Sequence, residues 1–455
     1  MSSSHWDVII VGARCAGAAL GIQLARAGVR TLVLESDRRG SDMPLSTHYV
    51  QPPGVLALER LGVAERIREL TPATLRMRLA LDDAEMVTPL DRDRPGYCVR
   101  RSTLDPLLQD AAEASGAVLR CGTRVEQLVR REERVTGVVV RSAAGPETLT
   151  ADLVVGADGV HSTVAKQTGA REYLASESTR GGYFAYYPAP SAWTAPWDAT
   201  LEYRGRDLRY VFRSDGDLVL LVSVPPIEVA ERWGRAYREE LHASLLASPT
   251  TRAFAEGKQP IGKVIGLLRT RFFYREPVGP GWALVGDAGH YKDFVTGQGI
   301  SDALLDAERL ARAVLSPARE PALEHFWRER DCATLPLHLD ALEKGLVGYN
   351  SPLMRWVVAQ MAELPEMHVR VRRMLERDLP PHELIPMRRM LGFMGKALLR
   401  GRIDVLRGFA DVGKAKGGER RELLERAALL EAAEASLRGA SHPSSAVSEP
   451  SSRAA

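Results

Sequence analysis

The chain opens on an apolar run, Trp6-Asp7-Val8-Ile9-Ile10-Val11, interrupted by one acid and stopped by Gly12. A short continuous run of this kind predicts a strand buried on both faces. Behind the glycine, Ala16, Ala18, Ala19, Leu20, Ile22, Leu24 and Ala25 recur at helical spacing as far as Gly28, where a helix end is expected. Thr31-Leu32-Val33-Leu34 then reads as a second strand ending on Glu35. Strand, turn, helix and strand make one βαβ unit.

Further along the pattern varies. Residues 41–53 are polar and carry prolines, a loop, and a helix follows over 54–61. Leu75, Met77, Leu79 and Leu81 alternate with Arg76, Arg78, Ala80 and Asp82, the period of a half-buried strand. Arg101-Ser102-Thr103-Leu104 opens a helix, and 118–120, 123–130 and 135–141 read as strands. Asp152-Leu153-Val154-Val155 is a buried strand leading into Gly156-Ala157-Asp158-Gly159-Val160-His161-Ser162. Residues 181–224 turn aromatic and β-rich, a meander with Asp215-Gly216 as a hairpin turn, and 229–256 return to helix. Trp282-Ala283-Leu284-Val285 runs into Gly286-Asp287-Ala288-Gly289-His290, with a long helix after Gln298.

Past residue 330, helical runs at 335–346, 352–361 and 386–406 are separated by prolines. Between His368 and Arg407 there are ten Lys/Arg against four Asp/Glu, and Met387, Met390, Leu391, Met394 and Leu398 form an apolar stripe. Such a helix is either a core helix with a solvated basic face or a contact for a membrane surface or amphipathic partner. Residues 420–437 read as a Leu/Ala/Glu helix, and 439–455 as a Ser/Ala/Pro tail expected to be disordered.

Composition narrows the class. The 455 residues allow about two to four domains. An apolar fraction of 45% and a charged fraction of 26% are those of a globular protein, and a net charge of +3 gives no case for nucleic acid. Cys15, Cys98, Cys121 and Cys332 lie far apart with no CxxC, so neither a metal site nor a disulfide framework is suggested. With no signal-peptide pattern before the first strand and no apolar run of about eighteen residues, a cytoplasmic location is expected.

The first turn carries chemistry. Backbone N–H groups at a helix N-terminus, here those of Arg14, Cys15, Ala16 and Gly17, suit a pyrophosphate, and the helix dipole favours the negative charge. Gly12 permits the turn and Gly17 permits close helix–strand approach. Glu35, at the end of the second strand, is where a dinucleotide site needs a carboxylate for ribose hydroxyls. Arg14 stands at the usual middle glycine. The alternative is an ordinary βαβ unit with a glycine turn.

Three stretches in this order resemble the FAD-dependent monooxygenases of the p-hydroxybenzoate hydroxylase type: the Gly12–Gly17 turn with Glu35, the Gly156–Ser162 Asp-Gly stretch, and Gly286-Asp287 continuing to Thr296-Gly297-Gln298-Gly299. Arg101-Ser102-Thr103-Leu104 is similar to the family's Arg-x-x-Leu helix start. The resemblance implies non-covalent FAD, with Asp287 accepting from ribityl hydroxyls and Arg101 lying along the pyrophosphate. It places Asp158 near the pyrophosphate and the nicotinamide nucleotide. Gly286 belongs to the same turn as Asp287, and Gly297, Gln298 and Gly299 would set a helix N-terminus at the flavin pyrimidine edge. It implies NAD(P)H as a transient co-substrate, since no second glycine-rich βαβ unit is present. The reaction implied is hydroxylation or epoxidation of an organic substrate (aromatic, polyketide-like or isoprenoid) with dioxygen through a flavin C4a-hydroperoxide. His48, in a loop that passes the flavin in this family, is the catalytic candidate, as substrate orienter or proton relay; otherwise it is a loop histidine bonded to backbone. Phe294 replaces a family proline, and Ala165-Lys166 stands where the family has an arginine.

The implied fold is α/β. A doubly wound, Rossmann-like FAD-binding domain is built from 1–70, 100–170 and 277–330. A β-sheet substrate domain is inserted at 71–99 and 171–276, followed by a helical region at 331–438 and a tail at 439–455. One face of the aromatic strand around Tyr183, Phe184, Tyr186 and Tyr187 is expected to line a cavity, and His290 to be structural. A monomer or homodimer is expected. A flavin halogenase is a weaker reading, because the Trp-x-Trp-x-Ile-Pro signature is absent at 191–197 and Lys292, beside Asp293, reads as a surface loop. A reductase of isoprenoid double bonds is the other enzymatic reading, and a flavin-binding sensor the non-enzymatic one.

Overall fold

The opening apolar run becomes the strand His5–Val11, and its residues serve two cores. Val8 and Ile10 point into one cluster with the helix Cys15–Arg26, whereas Ile9 and Val11 join another on the opposite face, the alternation a strand imposes. In this computed structural model, which describes residues 5–40 and 48–441 but not the side chains of 410–419 and 439–441, that strand is central to a parallel sheet. Thr31–Leu34 and then Val118–Arg120 lie on one side of it, and Gly145–Gly156 and then Trp282–Leu284 on the other, all parallel.

Helices Cys15–Arg26, Arg101–Ala114 and Gly299–Leu315 bury Leu20, Leu104, Leu108 and Leu304 against one face of this sheet. The other face is covered differently. Arg134–Ser142 pairs antiparallel with Gly145–Gly156 and Arg124–Arg131 antiparallel with Arg134–Ser142, and with the short helix Thr163–Thr168 they pack Val125, Val138 and Val164 over Ile9 and Leu32. The α/β class and the dinucleotide-type parallel core stand.

A second sheet has the order Ile261–Leu267, Gly182–Pro188, Leu218–Val224, Asp207–Ser214, Ala199–Arg204, Arg76–Leu81, Ala84–Pro89. The Asp215-Gly216 hairpin expected from sequence forms, with Gly216 and Asp217 at φ of +67° and +54°. The Asp215 carboxylate accepts from the Arg100 N–H at 3.0 Å and from the Thr103 hydroxyl, which fastens this hairpin to the start of the Arg101–Ala114 helix. Residues 229–256 are several short helices, Ile227–Trp233, Tyr237–Leu246 and Pro249–Ala255, rather than one.

The C-terminal part differs most from the sequence expectation. One helix, Arg319–Gly345, runs straight through Pro336, because its neighbours Gly299–Leu315 and Ile403–Ser441 supply packing that outweighs one lost N–H donor. Pro352–Ala362, Pro365–Leu375 and Met387–Leu399 follow. Ile403–Ser441 is continuous and takes in the first residues of the expected tail, whereas 442–455 of that tail and 41–47 of the expected loop lie outside the described residues. Leu353, Trp356, Met361 and Phe393 from these helices share a core with Met77, Phe212 and Leu220 of the second sheet. No described helix is long and apolar enough to cross a membrane.

Candidate cofactor and active site

The glycine turns converge at the C-terminal ends of the parallel strands, where ligands of such sheets bind. Gly12 has φ of +102°, and a Cβ there would stand 2.4 Å from the Ala157 carbonyl oxygen. A Cβ on Gly17 would stand 1.8 Å from the Gly12 oxygen, and one on Gly286 2.9 Å from the Ala16 Cβ. Both contacts are backbone or near-backbone, so no side chain can be accommodated by a shift of a flexible tip. The first and third motifs therefore meet at bare backbone. The helix beginning at Cys15 carries no side-chain cap, which leaves the N–H groups of Cys15, Ala16 and Gly17 for an external acceptor.

Glu35 is buried, and its two carboxylate oxygens accept from the N–H of Ala13 at 2.9 Å and of Asp37 at 3.1 Å. Gln109 donates to the Ala13 carbonyl at 3.1 Å, so this peptide is clamped from both sides. Arg14 is held by ion pairs to Asp37 at 2.8 Å and Asp105 at 3.2 Å. That gives the missing middle glycine a reason: the guanidinium ties the turn to the helix Arg101–Ala114. Asp105 was missed from sequence, although its i,i+4 spacing from Arg101 was the available signal. It is buried, accepts two bonds from the Arg101 guanidinium at 2.9 and 3.0 Å, and accepts from the Cys15 thiol at 3.6 Å. Burial pushes that thiol up to about 12, so Cys15 is an inert packing residue.

Asp158 abuts the same turn through its backbone, but its carboxylate accepts from the Ser162 hydroxyl at 2.5 Å and the Thr163 N–H at 2.6 Å. It caps the helix Thr163–Thr168, with Ser162 as N-cap. Asp287 lies in the tight turn Gly286–Ala288, with a carboxylate oxygen 4.0 Å from where a Cβ on Gly299 would be. Burial pushes its carboxyl up to about 7, against the pull of Arg101 and with the push of Asp302. Gly297 takes a left-handed φ of +61°, and the Gly299–Leu315 helix starts from Gln298 without a side-chain cap.

Lys292 corrects the sequence reading. It is buried, pairs with Asp302 at 2.7 Å and donates to the Gln298 side-chain oxygen at 2.9 Å. Asp302 also pairs with Arg377 at 2.8 Å, and these cations hold its carboxyl far below the usual range. Asp293, beside Lys292, is buried too, and burial lifts it to about 7. His290 is buried, stacks on Tyr274 at 5.1 Å and lies 3.3 Å from Asp306; desolvation keeps its ring neutral.

His48 is buried at φ of +57°. Its Nδ1 is hydrogen-bonded to the Tyr186 hydroxyl, its ring stacks on Tyr186 at 5.7 Å, and Phe184 meets it edge-on at 5.5 Å. Tyr183 and Tyr187 point the other way, into the core around Trp233. An apolar cavity of about 350 Å³ lies between the second sheet and the C-terminal helices. Its wall includes Tyr49, Tyr210, Phe212 and Phe294 from the sheet side, Gly297 and Gln298 at the helix start, and Leu353, Val357 and Met361 opposite. The strand Gly182–Pro188 does not line it; Gly182 instead backs the Phe294 ring, 3.1 Å from where its Cβ would be.

A glycine cradle against an uncapped helix start, a buried carboxylate one strand away and an acid at a second turn fit a flavin dinucleotide. The site is that of a dinucleotide-binding flavoprotein. The chain matches the FAD binding domain family over residues 5–330 and belongs to it. It is 32% identical over 185 residues to the probable electron transfer flavoprotein-quinone oxidoreductase YdiS of Escherichia coli (strain K12), a stretch covering 37% of this chain and 40% of that protein. It is 34% identical over 172 residues to squalene monooxygenase 1,2 of Brassica napus, 35% of this chain and 32% of the relative. The matched part is thus less than half of either relative's length. Among solved structures, the flavin-dependent brominase Bmp2 superposes with a TM-score of 0.70 at 20% identity, over 82% of this chain and 94% of that one.

Proposed function

We propose that this protein is a FAD-dependent, NAD(P)H-using monooxygenase that hydroxylates or epoxidises an apolar organic substrate. The observation that carries the reading is the apolar cavity whose wall includes Gly297 and Gln298, the start of the helix assigned to the flavin ring. Bound FAD would take a hydride from NAD(P)H and activate dioxygen. The rest falls to the chain. Glu35 would hold the adenosine ribose, and the first-turn N–H groups of Cys15, Ala16 and Gly17 the pyrophosphate. Arg101, fixed by Asp105, would lie beside it, and Asp287 would accept from the ribityl chain. The positive end of the Gly299–Leu315 helix favours negative charge at the adjoining ring edge.

The cavity's aromatic and aliphatic wall would exclude water and orient substrate. Its buried phenols, Tyr49 and Tyr210, are pushed upward by burial and stay protonated; Tyr210 donates to the Val295 carbonyl at 2.7 Å and so fixes the turn ahead of Gly297. His48 stands behind the cavity wall next to Tyr49, bonded through Nδ1 to the Tyr186 hydroxyl, and in this reading would hold and pass a proton. Asp158 supports the site through the turn it caps. In this reading 71–99 and 171–276 carry substrate, and 331–438 closes over it.

The test is turnover with NAD(P)H and isotope-labelled dioxygen across a panel of aromatic, polyketide-like and isoprenoid compounds. One labelled oxygen in the product is expected, with substrate stimulating NAD(P)H oxidation. An unlabelled product formed equally well under argon would instead identify a reductase, and a product requiring bromide or chloride a halogenase.

A further inference from the structure

The helix Met387–Leu399 has two apolar faces, and the fold uses one. Phe393 and Ala397 are buried in the core shared with the second sheet. Met387, Leu391, Met394 and Leu398 follow at i, i+4, i+7 and i+11, a single stripe on a helix. Of these, Met387 is 73% exposed, Leu391 59% and Leu398 67%. Leu399 and Ile403, just beyond, are 89% and 61% exposed. Scattered exposed leucines are ordinary, but a contiguous apolar stripe is the mark of a surface that meets something else.

Two further observations say what it meets. Met387 and Met390 belong to the cavity wall, as do Pro381 and the exposed His382, so the cavity opens beside the stripe. Between Met387 and Arg407 stand six Lys/Arg and one Asp, a local charge of +5. Arg388, Lys396, Arg400 and Arg407 are exposed. A second copy of this chain would bring the same charge against itself. An anionic lipid surface would take the apolar stripe into its acyl boundary and neutralise the cations at its headgroups.

We propose that Met387–Leu399, with Ile403, docks the protein on an anionic phospholipid surface, so that the cavity mouth opens toward the bilayer and takes a lipophilic substrate from it. The nature of what is delivered rests on the oxygenase reading above; the docking does not.

The experiment is co-sedimentation of the FAD-loaded protein with phosphatidylcholine vesicles, with and without phosphatidylglycerol. Several-fold more protein is expected on the anionic vesicles, less as salt rises. Leu391→Glu with Leu398→Glu is expected to lower binding tenfold or more while FAD content and thermal unfolding stay as in the parent. Arg388→Glu with Arg407→Glu should remove the preference for anionic lipid. Equal partition of the parent and the Leu391→Glu/Leu398→Glu variant, or no binding by either, overturns the proposal. So does a parent that is dimeric in solution, is split by those two substitutions and ignores vesicles. Vesicle binding needs no turnover, so its failure leaves the oxygenase reading standing, and a failed oxygenation assay leaves the docking standing.

Discussion

The carboxyl of Asp287 sits partly buried, facing Arg101 and near Asp302, and burial lifts it from 3.8 to about 7. An ionised carboxylate there is disfavoured in the folded apoprotein, so the cost is fully present above pH 7 and fades as the pH falls toward the ordinary value of 3.8. Asp287→Asn is therefore expected to make the apoprotein about 1–3 kcal/mol more stable at pH 8, the full shift being reduced by solvent at this partly open site, with the gain gone near pH 4. The same variant should bind FAD about 1–3 kcal/mol more weakly, because charge-assisted bonds to the ribityl chain are lost. Thermal unfolding of the flavin-free protein and flavin titration read the two effects; an apoprotein no more stable at pH 8 contradicts the burial account. At the other end, Glu35→Ala should cost about 1–3 kcal/mol of FAD affinity, since Ala13 N–H also loses its acceptor. His48→Gln, which removes the ring bonded to the Tyr186 hydroxyl, should lower kcat about tenfold or more while FAD binding is retained. An unchanged kcat would make it a packing residue.

At the scale of elements, the opening strand, turn and helix were legible because every signal was local: an apolar run, Gly12, helical spacing and Glu35 lie within one stretch. The contacts explain the glycines more sharply than spacing did. Gly17→Ala must push a Cβ into the Gly12 carbonyl, so this variant is expected to emerge without flavin and to unfold several degrees earlier; a normal flavin spectrum would show that the helix can retreat. Lys292 was illegible for a matching reason. Two adjacent charges, Lys292 and Asp293, look like a surface loop; the buried Lys292 is instead paired with Asp302, ten residues on and inside the next helix, which also takes Arg377 from far along the chain. Pro336 likewise signals a helix end, and the helix Arg319–Gly345 overrides it through packing that no local window contains. Asp105 fell between: its spacing from Arg101 was visible, but Arg14 and Cys15 as its other partners were not.

Over the whole molecule, the C-terminal helices do two jobs that composition alone described only as a basic helical region. They wall the cavity, and through Arg377 they reach the first turn of the Gly299–Leu315 helix, where Asp302 also holds Lys292 and, through it, Gln298. Arg377→Met removes one of the two cations that Asp302 pairs with, Lys292 remaining, and is expected to destabilise by about 1–3 kcal/mol, with the C-terminal helices becoming the first site of protease cleavage. Cleavage that still begins elsewhere, with unchanged stability, would show the pair to be dispensable. The parallel sheet has a consequence in time. Its strand Gly145–Gly156 waits for Trp282–Leu284, its neighbour on one side, and synthesis at about 5–20 residues per second separates the two by tens of seconds at the slow end. During that interval an apolar parallel edge stands open, the kind of edge on which two nascent copies pair wrongly. Ribosome-bound chains of increasing length should accordingly gain protease resistance in this sheet in one late step, once the Trp282–Leu284 strand has left the exit tunnel, and not gradually from the N-terminus.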